Sequence, residues 1–411
     1  MKVSQLFTKT SKTAPADEVA KNAQLLIQAG YVHKEMAGVY TFLPLGLSVL
    51  DNICNVVREE MNAIGGQELK MSALQDADLW KKSGRWDDDI VDVWFKTKLK
   101  NETELGLGWT HEEPLVRAIK PFVRSYKDLP LMPYQIQTKF RNEVRAKSGV
   151  MRGREFLMKD MYSLARTQTE HDEVYEKIKQ AYYRVFERLG IGEQTFITFA
   201  SGGAFSKFSH EFQTLTDAGE DIVYLDKVKK IAVNEEVMND EVLEHLGLVR
   251  SELVQVKAAE VGNIFTLKDK FSKPLGLRFT NENGQDTEVL MGCYGIGPSR
   301  LVGVIAELFA DDKGLVWPEA VAPYSVYLVT IGDVGTQADE LYGELQAKGI
   351  KVLYDDRDVR PGEKFADADL LGIPHRVVLS NKLVEQGSYE YKSRTGTDVN
   401  ILTKQELLAI L

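Results

Sequence analysis

Residues 139–159, KFRNEVRAKSGVMRGREFLMK, hold seven Lys/Arg against two Glu, a local balance of +5 in a chain of formal net charge −10. So much charge cannot be buried without partners, and its apolar flanks cannot be left in water. Residues 134–140 and 156–158 read as strands, with Gly149 and Gly153 marking a loop between them. The expected unit is an antiparallel hairpin with a long basic loop. Residues i and i+2 share a strand face, so Arg141 and Glu143 are expected to point the same way, with Phe156 on the facing strand. A fixed guanidinium, a carboxylate and an aromatic face suit a nucleotide, the Arg taking phosphate oxygens and the ring the base. Taken alone, the same residues also suit a solvated hairpin with Phe156 in the core.

The chain of 411 residues has room for two or three domains. No run approaches the roughly 18 apolar residues of a membrane span. The first residues, MKVSQLFTKTSKTAPADEVAKN, lack the apolar core of a secretory signal, so a cytoplasmic protein is expected. Only Cys54 and Cys293 are present, which supports neither a disulfide framework nor a cysteine zinc site. The acidic balance argues against general polyanion binding but leaves room for a nucleic acid held by local basic patches.

Along the chain, 17–29 reads as an amphipathic helix ending at Gly30. Leu47, Leu50, Cys54, Val57, Met61 and Ile64 follow a helical period that Gly65-Gly66 stops, which makes Cys54 a core residue. Residues 71–80 and 85–96 supply further helix and strand. Thr110 with Glu113 three residues on forms a capping-box pattern, and His111 has no evident partner. The helix expected over 168–189 buries Val174, Ile178, Ala181, Val185, Phe186 and Leu189, with His171 solvated near its start. At 289–300, VLMGCYGIGPSR, a strand enters a glycine turn and then a helix with Pro298 near its first position. That helix start and Arg300 together make an anion site. A dinucleotide fingerprint is excluded, because Arg300 stands where the third glycine belongs. Residues 317–323 punctuate the chain as a linker. Alternating strands and helices follow, closed by a helix capped by Thr403 with Glu406, and predict a compact α/β domain.

Three of these stretches, in order, resemble the three motifs of the class II aminoacyl-tRNA synthetases. Gly38, an extended run, Pro44 and a long helix resemble motif 1, which implies a homodimer. Phe140-Arg141-x-Glu143, then Arg152-x-x-x-Phe156-x-x-x-Asp160, resembles motif 2. Gly295-x-Gly297-x-x-Arg300 resembles motif 3. Trp109-Thr110-His111-Glu112, Ser209-His210-Glu211-Phe212 and MGCYGIG are similar to the bacterial-type prolyl-tRNA synthetases across essentially the whole chain. The threonyl relatives need a Cys/His zinc cluster and the seryl ones an N-terminal coiled coil. This chain offers neither.

The resemblance implies an α+β fold, with an antiparallel-sheet catalytic domain and a C-terminal α/β anticodon-binding domain. Its divisions are 1–223 (motifs 1 and 2), 224–287 (a shortened insertion and return to the core), 288–320 (motif 3) and 321–411 (anticodon binding). It implies ATP and Mg²⁺ as cofactors and L-proline and tRNA(Pro) as partners, with no zinc and no membrane. By position, Arg141 and Arg300 are catalytic. ATP falls to these two with Glu143, Arg152, Phe156, Glu211, Gly295 and Gly297, and Mg²⁺ to Glu211. Proline falls to Thr110, Glu112, Arg141, Met158, His210 and Cys293. The tRNA acceptor end falls to Arg145 and Lys147, and the anticodon to Asp356, Arg357 and Lys364. There are departures: Leu164 stands where an aromatic is usual, and the interval from Gly202-Gly203 to Ser209 is atypical around Phe205 and Phe208. The insertion is too short for a hydrolytic editing domain. A synthetase of the same subgroup for another amino acid is the alternative. A non-catalytic tRNA-binding paralogue would be expected to have lost the three arginines.

Overall fold

The structure, a computed structural model, describes residues 1–144, 148–203, 205 and 208–411. The chain divides into two compact units, one of Met36–Val39 with Cys54–Val304, the other of Met1–Glu35, Tyr40–Ile53 and Ile305–Leu411.

Among the described residues of the first unit, nine strands form one sheet. They are β1 (Gln67–Glu68), β2 (Pro133–Phe140), β3 (Glu155–Ala165), β4 (Thr195–Ser201), β5 (Phe208–Leu215), β6 (Asp221–Asp226), β7 (Ile231–Asn234), β8 (Val254–Lys268) and β9 (Leu290–Ile296). The order is β5-β4-β7-β6-β8-β9-β3-β2-β1, and β5 also pairs with β8. Strands β4 to β8 therefore close on themselves, which removes an edge that an open sheet would expose. Val223, Leu225, Ala232 and Ala258 form a small core of their own among these strands. Neighbours are antiparallel except β4 with β7 and β1 with β2.

Register decides which side chains meet, because directly opposed residues share a face and consecutive ones alternate. Tyr162 opposes Cys293, and Asp160 opposes Gly295. Cys293 opposes Phe265, and Gly295 opposes Asn263. Glu211 opposes Asn263, while His210 opposes Ile264. One face thus carries Met158, Asp160, Tyr162, Asn263, Phe265, Cys293 and Glu211. The other carries Lys159, His210, Ile264 and Tyr294 beneath the helix Gln168–Arg188. That helix buries the stripe its spacing predicts. His171, expected in solvent, is instead buried on it, with Nε2 3.1 Å from Thr266 Oγ1.

Two local expectations at the site are corrected. Strand β2 ends at Phe140, and Glu143 N–H donates to Arg141 O at 2.8 Å, so Arg141 and Glu143 occupy a turn rather than one strand face. The helix after Trp109 runs Glu112–Ile119 with His111 at its N-cap. Thr110 therefore makes no capping box, and Glu113 is drawn away to an arginine.

In the second unit the order is Val352–Asp355, Val326–Ile331, His375–Ser380, Ser388–Ser393, Asn400–Thr403. The first three are parallel, and the last two add an antiparallel hairpin. Thr403 and Glu406 form the expected capping box. The expected first helix is Lys21–Gln28, four residues shorter at its start, because Asp17 and Glu18 are spent on ion pairs to Lys34. The chain also makes a short helix at Asn381–Glu385, which periodicity did not show.

Candidate active site

The last bond of the hairpin ladder, Arg141 N–H to Arg154 O at 2.8 Å, fixes Arg141 just past β2. Its guanidinium carbon lies 5.1 Å from the Phe156 ring centroid. Arg300, in the first turn of the helix Pro298–Phe309, donates from Nε to Met151 O at 2.8 Å and from Nη1 to Glu260 Oε2 at 3.2 Å. Arg152 sits between Glu220 at 2.6 Å and Glu143 at 2.9 Å. All three arginines line one cavity of about 530 Å³, whose other walls include Glu143, Phe156, Met158, Asn263, Gly295 and Gly297. A second hollow of about 570 Å³ shares the three arginines and adds Glu220 and Asp221.

Arg152 and Arg300 are thus held by carboxylates, while Arg141 Nε is buried with no hydrogen-bond partner among the described residues. Buried donors are rarely left so, and a ligand oxygen would satisfy this one. Burial pulls the Arg141 guanidinium below its ordinary value, and Arg300 adds to this while Glu260 opposes it. Nearby, burial and the neighbouring Glu260 push the Glu211 carboxyl up to about 8. Burial likewise raises Asp221, with Glu260 adding to it. Gln213 Nε2 donates to both, at 2.8 Å to Glu211 and 2.7 Å to Asp221. Glu211 itself lines neither hollow, and lies behind Glu260 in an acidic group short of positive charge. Among the described residues, no group of three or more His, Cys, Asp or Glu is placed to hold a metal unaided.

Gly295 keeps the floor flat, since a Cβ there would sit 2.8 Å from Asn263 Oδ1. Gly295→Val is expected to raise the KM for ATP by about tenfold or more while sparing the melting temperature. Pyrophosphate exchange and thermal melts check this.

Two residues along β9, on the same face, Cys293 Sγ donates to Glu112 Oε1 at 3.2 Å. Thr110 Oγ1 donates to both Glu112 oxygens, at 3.0 and 2.8 Å. Arg85 Nη2 reaches Glu112 Oε2 at 2.8 Å and Glu113 Oε2 at 2.6 Å. Burial pushes the Cys293 thiol up, and Glu112 adds to it, which disfavours the thiolate. Trp109 lies 5.9 Å from Phe205, which lies 4.9 Å from Phe265, giving this end an aromatic side. Beneath it Asp160 accepts from Lys139 at 2.6 Å, Tyr162 at 2.9 Å and Gln135 at 3.0 Å. His111 Nε2 is 3.1 Å from Ser72 O, and burial with Lys139 nearby pulls its pKa down to about 4, so it is neutral.

The structure therefore brings together Arg141, Glu143, Arg152, Phe156, Met158, Gly295, Gly297 and Arg300 at one cavity. It joins Thr110, Glu112 and Cys293 by hydrogen bonds. His210 is a correction. It lies on the opposite face of the sheet from Cys293, with Nδ1 2.7 Å from Tyr175 OH, so the two cannot share a wall. Arg145 and Lys147 lie outside the described residues. In the second unit Arg357 is bound by Asp355 and Asp367, each at 2.7 Å. Lys364 is buried and donates to Thr330 O and Asp355 O, and Asp356 accepts from Ser4. Sequence reasoning missed Arg85, Glu260, Asn263 and the Lys139–Asp160 pair. The clue to Arg85 was the adjacent Glu112 and Glu113 beside an apolar run, since two buried carboxylates need a cation.

Comparison with known proteins bears on the family and the fold. The description "tRNA synthetase class II core domain (G, H, P, S and T)" matches residues 95–309, and "Anticodon binding domain" matches 325–411. A proline--tRNA ligase of Rhodospirillum rubrum is 39% identical over 436 aligned positions, covering 100% of both chains. One from Anaplasma phagocytophilum is 36% identical over 427, covering 100% of this chain and 99% of its own. The solved prolyl-tRNA synthetase of Cryptosporidium parvum, complexed with halofuginone and AMPPNP, superposes with a TM-score of 0.77 at 18% identity. It covers 94% of this chain and 75% of its own, and shares the fold. No helix is long and apolar enough to cross a membrane among the described residues. With a core description over more than half its length and relatives matched from end to end, the chain belongs to the proline--tRNA ligase family of class II tRNA synthetases.

Proposed function

We propose that the chain activates L-proline with ATP and transfers it to tRNA(Pro). The observation that carries this reading is the convergence of Arg141, Arg152 and Arg300 on one cavity, two residues along β9 from the Thr110–Glu112–Cys293 group. The proline carboxylate attacks the α-phosphorus and pyrophosphate leaves. Positioning and charge neutralisation do the work, rather than a general base. Arg141 bridges the α-phosphate and the attacking carboxylate, Arg152 and Arg300 hold the γ-phosphate, and Phe156 carries adenine. Glu112 and Thr110 take the secondary ammonium, while Met158, Cys293 and the aromatic side enclose the ring.

Magnesium fits the carboxylates Glu211 and Glu260, whose mutual repulsion is what a cation relieves, and the phosphates would complete its shell. When bound it supplies charge neutralisation on the triphosphate. In the second step the terminal tRNA hydroxyl attacks the adenylate carbonyl. The basic loop with Glu143, Arg145 and Lys147 steers the acceptor end, and the region of Asp356, Arg357 and Lys364 meets the anticodon. A homodimer through the motif 1 region and a cytoplasmic setting complete the reading. Pyrophosphate exchange across a panel of amino acids tests it, and exchange strongest with any amino acid other than proline rejects it.

Editing is expected to be absent. Residues 221–268 are mostly β6, β7 and β8 of the sheet, leaving between β7 and β8 the single α-helix Asp240–Leu246 and short 3₁₀ turns. A proline-shaped apolar pocket rejects alanine by only about 1–3 kcal/mol per missing methylene. The purified protein should therefore activate alanine measurably and leave alanyl-tRNA intact in a deacylation assay.

A further inference from the structure

Arg85 is a buried cation with two buried carboxylates, and the division between them is unequal. Glu113 takes a paired grip, from Nε at 2.8 Å and Nη2 at 2.6 Å, and also accepts from Ser83 Oγ at 2.6 Å. Glu112 takes one bond from the same Nη2, at 2.8 Å to Oε2. The fork thus neutralises Glu113 and leaves the trio formally at −1, with the remaining charge on Glu112. The guanidinium is itself fixed by rings, its carbon lying 4.4 Å from the Phe271 centroid, 4.8 Å from Trp109, 5.0 Å from Trp80 and 5.3 Å from Phe205. Such a planar ion held by faces and a fork has little freedom to turn. It ties down Oε2, so Oε1 is the oxygen turned to Cys293, on the face of β9 that Gly295 lends to the cavity.

We propose that Arg85 is a positioning residue for amine recognition. By clamping Oε2 of Glu112, it presents Oε1, still charged, to the secondary ammonium of the substrate. This rests on the reading of Glu112 as the amine's partner. A purely structural Arg85 would need only to balance charge, and the Glu113 pair alone does that. The bond to Glu112 is the part a structural role leaves unused.

The test compares wild type with Arg85→Lys, Arg85→Met and the double variant Arg85→Met/Glu113→Gln, varying proline and ATP separately in pyrophosphate exchange. The double variant removes one charge of each sign and so keeps the net charge of the trio. The expected result is a proline KM raised about tenfold or more in the double variant, with the ATP KM within about twofold. Arg85→Lys should fall between, because an ammonium supplies a cation but not a fork. A proline KM restored to wild type in the double variant overturns the proposal, as do proline and ATP KM values rising in parallel. If neither Met variant folds, Arg85→Lys decides alone, and an unchanged proline KM there rejects the idea. Wild-type protein without proline-dependent exchange would defeat the earlier reading instead.

Discussion

Arg141→Ala is expected to slow proline-dependent pyrophosphate exchange by about 10²-fold or more, a loss of several kcal/mol of transition-state stabilisation. The size follows from the lack of a substitute. Arg300 is engaged with Met151 O and Glu260, and Arg152 with Glu143 and Glu220. Neither can move to the α-phosphate without abandoning carboxylates. Arg141, in contrast, keeps a buried Nε unpaired. The fold should survive, because the contact that fixes residue 141 is its backbone N–H to Arg154 O. Arg141→Lys should recover little of the rate, since a point charge cannot bridge phosphate and carboxylate as a planar fork does. Exchange at wild-type speed in Arg141→Ala would remove this residue from the chemistry.

Asp160→Ala should be strongly destabilising. It strands the Lys139 ammonium, 2.6 Å from the lost carboxylate and fully buried, and also deprives Gln135 and Tyr162 of their acceptor. Breaking a buried pair from one side costs about 3–5 kcal/mol. For a unit of this size that corresponds to a melting temperature lower by roughly 6–20 °C. Burial works to raise the Asp160 carboxyl, but Lys139, His111 and the donated hydrogen bonds outweigh it and hold it below the usual range. Its stabilisation is therefore present above the unfolded carboxylate value of about 4 and is lost as pH falls through the lower folded value. Differential scanning calorimetry of the variant, and of wild type on acidification, measures both. A shift under about 2 °C would mean that Lys139 finds another acceptor.

What the sequence disclosed and what it hid have separate physical origins. The long helices were readable because a 3.6-residue stripe is a local property, and Val174 to Phe186 carries it in plain view. The hairpin was readable from charge and glycine punctuation. His210 was misplaced because its side depends on the pairing of β5 with β8, a register set by residues about fifty positions away. Arg141 and Glu143 were given one strand face because nothing local marked the end of β2 at Phe140. Arg85 went unread because its importance lies in Glu112 and Glu113, which meet it only after folding. Lys139 and Asp160 likewise share a face only through the register of β2 with β3, in which Asp160 opposes Gln135 and Lys139 opposes Phe156.

The strand ring closed by β5 against β8 sets a timetable for synthesis. Its pairings join residues 210–215 to 258–264, and β9 pairs with β8 alongside them. Arg300 is the last of the three cavity-lining arginines to be synthesised, roughly 15–60 s after initiation at ordinary elongation rates. A nascent polypeptide therefore lacks one wall of that cavity until nearly three quarters of it has been made. Products of translation interrupted before Arg300 would lack that wall altogether.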